Sequence, residues 1–182
     1  MKYCIANWKM NMTGNQSLIY LDKIGGLLAN NNTIAGSASM IICPPYTVID
    51  LMSSVLFEAS EGIFSDDNLS NIVDLQVGAQ NINPNDEGAY TGEVSMNMIN
   101  QYYGVEWVIA GHSERRSLFS ESNEFINLKV KKILESGKRP ILCIGETLEQ
   151  REAGKTREIL CSQLKDCLKE IECSDDFLIA YE

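Results

Sequence analysis

Histidine is almost missing from this chain: His112 is its one copy in 182 residues. A metal centre built from paired imidazoles is therefore not expected, and the cysteines do not supply an alternative. The six of them, Cys4, Cys43, Cys143, Cys161, Cys167 and Cys173, form no Cys-x-x-Cys pair. The first three sit in apolar strand-like runs and the last three on or just after one helical stretch. They read as reduced thiols of a cytosolic protein rather than disulfides or zinc ligands. Positive charge is also scarce, with 15 Lys and Arg against 25 Asp and Glu and a formal charge of −10. Such a surface repels nucleic acid and anionic membranes, so neither is expected as a partner. It repels anionic metabolites too, so any phosphate site has to be built locally, from a lysine or from helix N-termini. No apolar run approaches the roughly eighteen residues of a membrane span. The opening segment, MKYCIANWKMNMTGN, lacks a signal-peptide apolar region, so a cytoplasmic location is expected and the Asn-x-Ser/Thr triplets at Asn11, Asn15, Asn31 and Asn68 read as chance. Linkers, low-complexity tracts and fixed-period repeats are absent as well, which suits one domain over residues 1–182 with 45% hydrophobic residues to build a core.

What is present is an alternation of short apolar runs with longer helix-period stretches. The runs are Tyr3 to Ala6, Ala38 to Cys43, Leu75 to Gln80, Glu106 to Ala110, Pro140 to Ile144 and Phe177 to Tyr181. Helices are expected over about 17–29, with Leu18, Leu21, Ile24 and Leu28 on one face, over 47–57, in a short piece after Ser95, over 122–136, and from Thr156 onward. An irregular acidic segment at about 58–74 reads as a solvated surface insertion. Strands alternating with helices mean parallel βα units, and near-continuous apolar strands mean that both sheet faces are covered. The pattern leaves two architectures open. A closed eight-unit barrel needs about 250 residues, so six strands alone favour an open, doubly wound sheet.

Polar residues cluster just past the C-terminal ends of four runs, where βα proteins carry their active face. They are Asn7 and Lys9; His112, Ser113 and Glu114; Gly145 and Glu146; and Glu182. A carboxylate base (Glu182), an imidazole (His112) and a cation (Lys9) suit proton abstraction beside a carbonyl. Other signals carry less. Gly154-Lys155-Thr156 resembles the end of a P-loop but has Glu149 where that motif needs glycine. Trp8 and Trp107 read as packing residues, and Arg115 and Arg116 as partners of internal carboxylates.

Particular motifs raise the catalytic reading. These are Asn7-Trp8-Lys9-Met10-Asn11, then Val77-Gly78-Ala79-Gln80-Asn81 followed by Gly88-Ala89-Tyr90-Thr91-Gly92-Glu93, then Ile109-Ala110-Gly111-His112-Ser113-Glu114-Arg115-Arg116. Cys143-Ile144-Gly145-Glu146 and Ala180-Tyr181-Glu182 complete the set. In this order, from residue 3 to residue 182, the chain resembles the triosephosphate isomerase family. The resemblance implies an α/β fold of the TIM (β/α)8-barrel family, here about six parallel strands with outer helices. It implies interconversion of dihydroxyacetone phosphate and glyceraldehyde 3-phosphate without cofactor or metal. It assigns Glu182 as base and His112 as electrophile, a pairing that general treatments of enzyme pKa tuning use as a worked example. It places Asn7 and Lys9 on the substrate, Ser113 and Glu114 behind the histidine, and Thr91 on a loop reaching a neighbouring subunit's Asn7, Lys9 and His112. A homo-oligomer, at least a dimer, follows from that loop.

The same resemblance sets expectations about what lies past Glu182. The family's lid and its last two βα units, with the main phosphate grip, would follow that residue. Six units alone would leave open sheet edges at strands one and six and invite wider association. Three readings of function stand at this point: an isomerase, a barrel fragment that folds and oligomerises without turnover, and a chain that works only with a complementing one.

Overall fold

The computed structural model describes residues 2–29, 38–63, 68, 75–172 and 177–182. Six strands occur among them: β1 (Lys2–Asn7), β2 (Ala38–Cys43), β3 (Leu75–Ala79), β4 (Val105–Ala110), β5 (Arg139–Ile144) and β6 (Leu178–Tyr181). The helices are α1 (Gly14–Ala29), α2 (Tyr46–Ser60), α3 (Met96–Ile99), α4 (Ser113–Leu118), α5 (Asn123–Glu135), α6 (Leu148–Glu152) and α7 (Thr156–Cys167). The fold is α/β, with each strand next in the sheet to its neighbour in the chain. The residues divide into two compact units, Met1–Gln80 with Ile99–Trp107, and Asn81–Met98 with Val108–Glu182.

In the first unit β1 pairs in parallel with β2 from Lys2↔Ala38 to Asn7↔Cys43, and β2 with β3 from Met40↔Leu75 to Ile42↔Val77. Parallel neighbours need a crossover, and α1 and α2 supply it. Pro45 opens α2, whose Val48, Ile49, Met52, Val55, Leu56 and Ala59 recur every three or four residues and are buried. Ile41, Ile42 and Cys43 of β2 are fully buried. Gly78 of β3 fits where a side chain would not: a Cβ there would lie 2.6 Å from Cys43 Sγ and 3.1 Å from Trp107 O. Both tryptophans pack, Trp8 edge-on against Tyr20 and Trp107 against Tyr3, with Trp107 Nε1 donating to Gln76 Oε1 at 2.7 Å.

In the second unit β5 pairs in parallel with β6 from Ile141↔Leu178 to Ile144↔Tyr181. The β5 residues Ile141, Leu142, Cys143 and Ile144 are all buried, the mark of a strand covered on both faces. Ser122 caps α5 by accepting from Phe125 N at 3.2 Å, and Gly137, at φ 73°, ends it. Inside, Ile126, Val130 and Ile133 are fully buried. Asn127, on the same helix, donates both to Cys167 O and to Lys169 O at 2.9 Å, so it closes the end of α7 from outside that helix.

Some elements differ from the sequence reading. The two short helices α4 and α6 are additions, because one or two turns carry too little periodicity to read. Their caps explain them: the His112 side chain accepts from Glu114 N, and Thr147 forms a capping box with Gln150. The piece after Ser95 is helical only over 96–99, well short of Gly104. Leu18 is 37% exposed, because Ser17 takes the inner position at that end of α1 and bonds Thr13 O through its hydroxyl. Helix α2 continues to Ser60, so the acidic segment begins in a helix. Most of its remainder, 64–67 and 69–74, lies outside the described residues, as does Cys173.

Candidate active site

The second unit brings His112 and Glu182 together. His112 lies two residues past β4, after Gly111 at φ 74°, where a Cβ would lie 2.9 Å from Arg116 Nη2 and about as close to Ile126. Glycine lets the strand turn sharply there. The imidazole then folds over the start of α4, and Nδ1 accepts the backbone N–H of Glu114 at 3.2 Å. With Nδ1 an acceptor, the ring proton belongs on Nε2. Nε2 lies 2.7 Å from Glu182 Oε1. Glu182 Oε2 accepts the backbone N–H of Ser113 at 2.7 Å. One carboxylate therefore meets an imidazole N–H and the first N–H of a helix. The side chains are 12% and 27% exposed, sheltered but reachable by a small molecule. The Glu114 carboxylate approaches His112 Nδ1 at 3.4 Å, longer than the bond from its own N–H, and is 46% exposed, so water shields it.

The seat of Glu182 is built from three neighbours. Its N–H donates to Ile144 O at 2.9 Å, continuing the β5–β6 ladder. Gly145 leaves room for it, since a Cβ there would lie 2.4 Å from Glu182 O. Gln163 of α7 clamps the Gly145 backbone on both sides, accepting from its N–H at 2.9 Å and donating to its C=O at 2.8 Å. Before Glu182, the Tyr181 hydroxyl donates to Glu146 Oε1 at 2.9 Å, and the Thr156 hydroxyl does the same. Burial alone would raise the Glu146 carboxyl. Its backbone hydrogen bond, Tyr181, Thr156 and Arg151 outweigh burial and hold it below its ordinary value. The Tyr181 phenol is pushed up, first by its bond to that carboxylate and then by burial. Thr156, the last residue of the P-loop lookalike, is thus engaged on a carboxylate.

Asn7 and Lys9 belong to the first unit. Asn7 ends β1 and its Oδ1 accepts the Lys9 N–H at 2.9 Å. Lys9 has φ 54°, a left-handed backbone uncommon outside glycine and asparagine. Its carbonyl accepts from Gln80 Nε2 at 2.9 Å.

Thr91 stands exposed in the second unit, in the turn of the loop over 81–95. That loop is braced at its base. Asn83 N–H donates to Val94 O at 2.8 Å, the Asn83 side chain donates to Glu93 at 3.0 Å, and Asn83 Oδ1 accepts from Asn85.

Of the two arginines, Arg115 pairs with Glu121 at 2.7 Å as its type suggests. Arg116 differs: it donates to Gly111 O at 2.7 Å, Asn123 Oδ1 at 2.7 Å and Cys143 O at 3.1 Å, fastening the turn before His112 to β5. A turn offering bare carbonyls suits the five-donor fork of arginine as well as a carboxylate does. Behind these residues lies a buried ionic cluster. Lys129 is fully buried, with Nζ 2.5 Å from Glu121 Oε1 and 2.6 Å from Asn81 Oδ1.

A family model for triosephosphate isomerase matches residues 2–182. The chain belongs to the triosephosphate isomerase family. Similar proteins named triosephosphate isomerase include one from Fusobacterium nucleatum, 40% identical over 179 residues, which are 97% of this chain and 64% of that protein. One from Chlorobium phaeobacteroides is 40% identical over 181 residues, covering 100% of this chain and 65% of its own. One from Alkaliphilus oremlandii is 36% identical over 179 residues, 97% and 64% respectively. The chain thus spans about two-thirds of the length of these triosephosphate isomerases. Triosephosphate isomerase motifs name His112, Ser113, Glu114 and Glu182 in this chain. They do not by themselves reveal that Gln163 clamps Gly145 beside Glu182 or that Tyr181 bonds Glu146, because those bonds join residues 18 and 35 apart.

Proposed function

We propose that this chain carries the acid–base pair of a triosephosphate isomerase and acts on a small phosphorylated triose. The observation that supports it best is the approach of Glu182 Oε1 to His112 Nε2 at 2.7 Å while Nδ1 accepts the Glu114 N–H. In this reading Glu182 removes a proton from the carbon beside the substrate carbonyl. The electron pair of that C–H bond forms the enediolate, whose oxygen receives the hydrogen bond from His112 Nε2. His112 Nε2 gives its proton to the former carbonyl oxygen and takes up the proton of the neighbouring hydroxyl, while Glu182 returns its proton to the adjacent carbon, so dihydroxyacetone phosphate and glyceraldehyde 3-phosphate interconvert with no net change in protons. The bond from Glu114 N to Nδ1 keeps the proton on Nε2, where an electrophile needs it. Lys9 and Asn7 meet the substrate in the family's pattern, and the left-handed backbone of Lys9 supports a functional role, since such strain persists where surrounding bonds over-determine it. Ser113 and Glu114 hold the pair in place.

The protein in this reading is a cytoplasmic homodimer, with Thr91 on the braced 81–95 loop reaching the partner subunit's Asn7, Lys9 and His112. The deciding experiment is a coupled isomerase assay of the purified chain beside Glu182→Gln. A rate that falls by at least a thousandfold in the variant supports the proposal. Equal background rates in both sink it for the isolated chain and leave the readings without turnover. Adding a fragment with the remaining third of a relative then tests complementation.

A further inference from the structure

We propose that Gln80 is a positioning residue for Lys9: it fixes the left-handed peptide from which the lysine side chain projects. This rests on the reading of Lys9 as a substrate-binding residue. The geometry comes from the first unit alone. Lys9 sits at φ 54°, a conformation that lysine adopts only when its surroundings impose it. Its peptide groups are held from both sides. The N–H donates to Asn7 Oδ1 at 2.9 Å, and the C=O accepts from Gln80 Nε2 at 2.9 Å.

The second hydrogen of the same amide goes to Cys43 O, also at 2.9 Å. Cys43 O in turn accepts the Trp8 N–H at 3.0 Å, and Asn11 Nδ2 donates to Trp8 O at 2.9 Å. Cys43 ends β2 and Gln80 directly follows β3. One side-chain amide therefore ties the loop after β1 to the C-terminal ends of two neighbouring strands. Asn7 alone fixes only the N–H side of the Lys9 residue. Gln80 holds the C=O side of the Lys9 residue, and with it the plane of the peptide between Lys9 and Met10. Turning that peptide changes the direction of the lysine stem, and a shift of about 1 Å at a reacting group costs on the order of a hundredfold in rate.

A purely structural role would fasten β2 to β3 and leave Lys9 indifferent. The two are separated by NMR of the full chain. In wild type, a scalar coupling across the hydrogen bond should link the Gln80 side-chain amide to the Lys9 carbonyl; its absence overturns the proposal without any variant. In Gln80→Met, the Lys9 amide should exchange at least tenfold faster while β2 and β3 amides keep their protection. The affinity of the same samples for glycerol 3-phosphate should fall about tenfold. Unchanged Lys9 exchange, or protection lost evenly along β2 and β3, refutes the positioning role. If wild type neither binds glycerol 3-phosphate nor turns over triose phosphate, the substrate role of Lys9 fails. The Lys9 amide and the coupling still decide whether Gln80 holds it.

Discussion

Glu121→Gln should unfold the second unit more readily than its one-atom change suggests, and the deficit should shrink as pH rises. The ammonium of Lys129 has no solvent exposure, and its counter-charge is Glu121 Oε1 at 2.5 Å. Asn81 Oδ1 at 2.6 Å supplies a dipole but no charge. Phe125 presents its ring 4.9 Å from Nζ, a further favourable contact that is weaker than an ion pair. Removing one partner of a buried pair costs about 3–5 kcal/mol, because the remaining charge is left buried. A chain of this size loses about 2–4 °C in Tm per kcal/mol, so Tm should fall by about 6–20 °C. Arg115 also touches Glu121, but it is 26% exposed and water can solvate it when the carboxylate goes.

The sign of the pH dependence follows from Lys129. Burial is the largest influence on it and lowers its pKa, opposed by the hydrogen bond and charge of Glu121 and by Glu93, while Arg115 lowers it further. Glu121→Gln removes the main opposing influence, so the lysine in the variant falls further below its unfolded value. A group with a depressed folded pKa leaves the unfolded chain with more protons, so stability rises with pH through that window. The variant should regain stability as pH rises toward the ordinary lysine value, more steeply than wild type does. Urea titrations of both proteins across that range measure it. A deficit under about 1 kcal/mol, or one that stays constant with pH, would refute the argument that Lys129 is a buried cation held by Glu121.

Two further predictions use the backbone. Ser120 lies at φ 56°, which costs about 1–2 kcal/mol for a residue with a Cβ. Ser120→Gly should remove that strain, lose about 0.4–1 kcal/mol to the looser unfolded chain, and so raise stability by up to about 1.6 kcal/mol in chemical denaturation; a lower stability would contradict it. Gly145→Ala should displace Glu182, because the new Cβ would lie 2.4 Å from Glu182 O. The Ser113 N–H that bonds Glu182 should then lose protection in hydrogen exchange, and an unaltered Ser113 amide would count against this seat.

The strands were legible in sequence because continuous apolar runs such as Pro140 to Ile144 survive any detail of tertiary packing. The helix over 123–135 was legible because Ser122 and Gly137 bracket it. Motif order placed His112 and Glu182, and the fold brings them within 2.7 Å. What sequence did not carry was the support around them. Nothing in the spacing tells that Gln163 embraces Gly145, or that Gln80 reaches the carbonyl of Lys9 across 71 residues. Glutamine is neutral and commonly solvated, so its role is decided by which backbone groups the topology leaves within reach. Helix α4 was missed for a related reason: its start depends on a histidine acting as a cap, and histidine is not read as a capping type.

The amide of Asn127 gives the outer helices a shared boundary. By taking Cys167 O and Lys169 O, it terminates α7 with a group that belongs to α5. If α5 opens, Cys167 O and Lys169 O lose this donor, so protection at the end of α7 should depend on α5 staying docked.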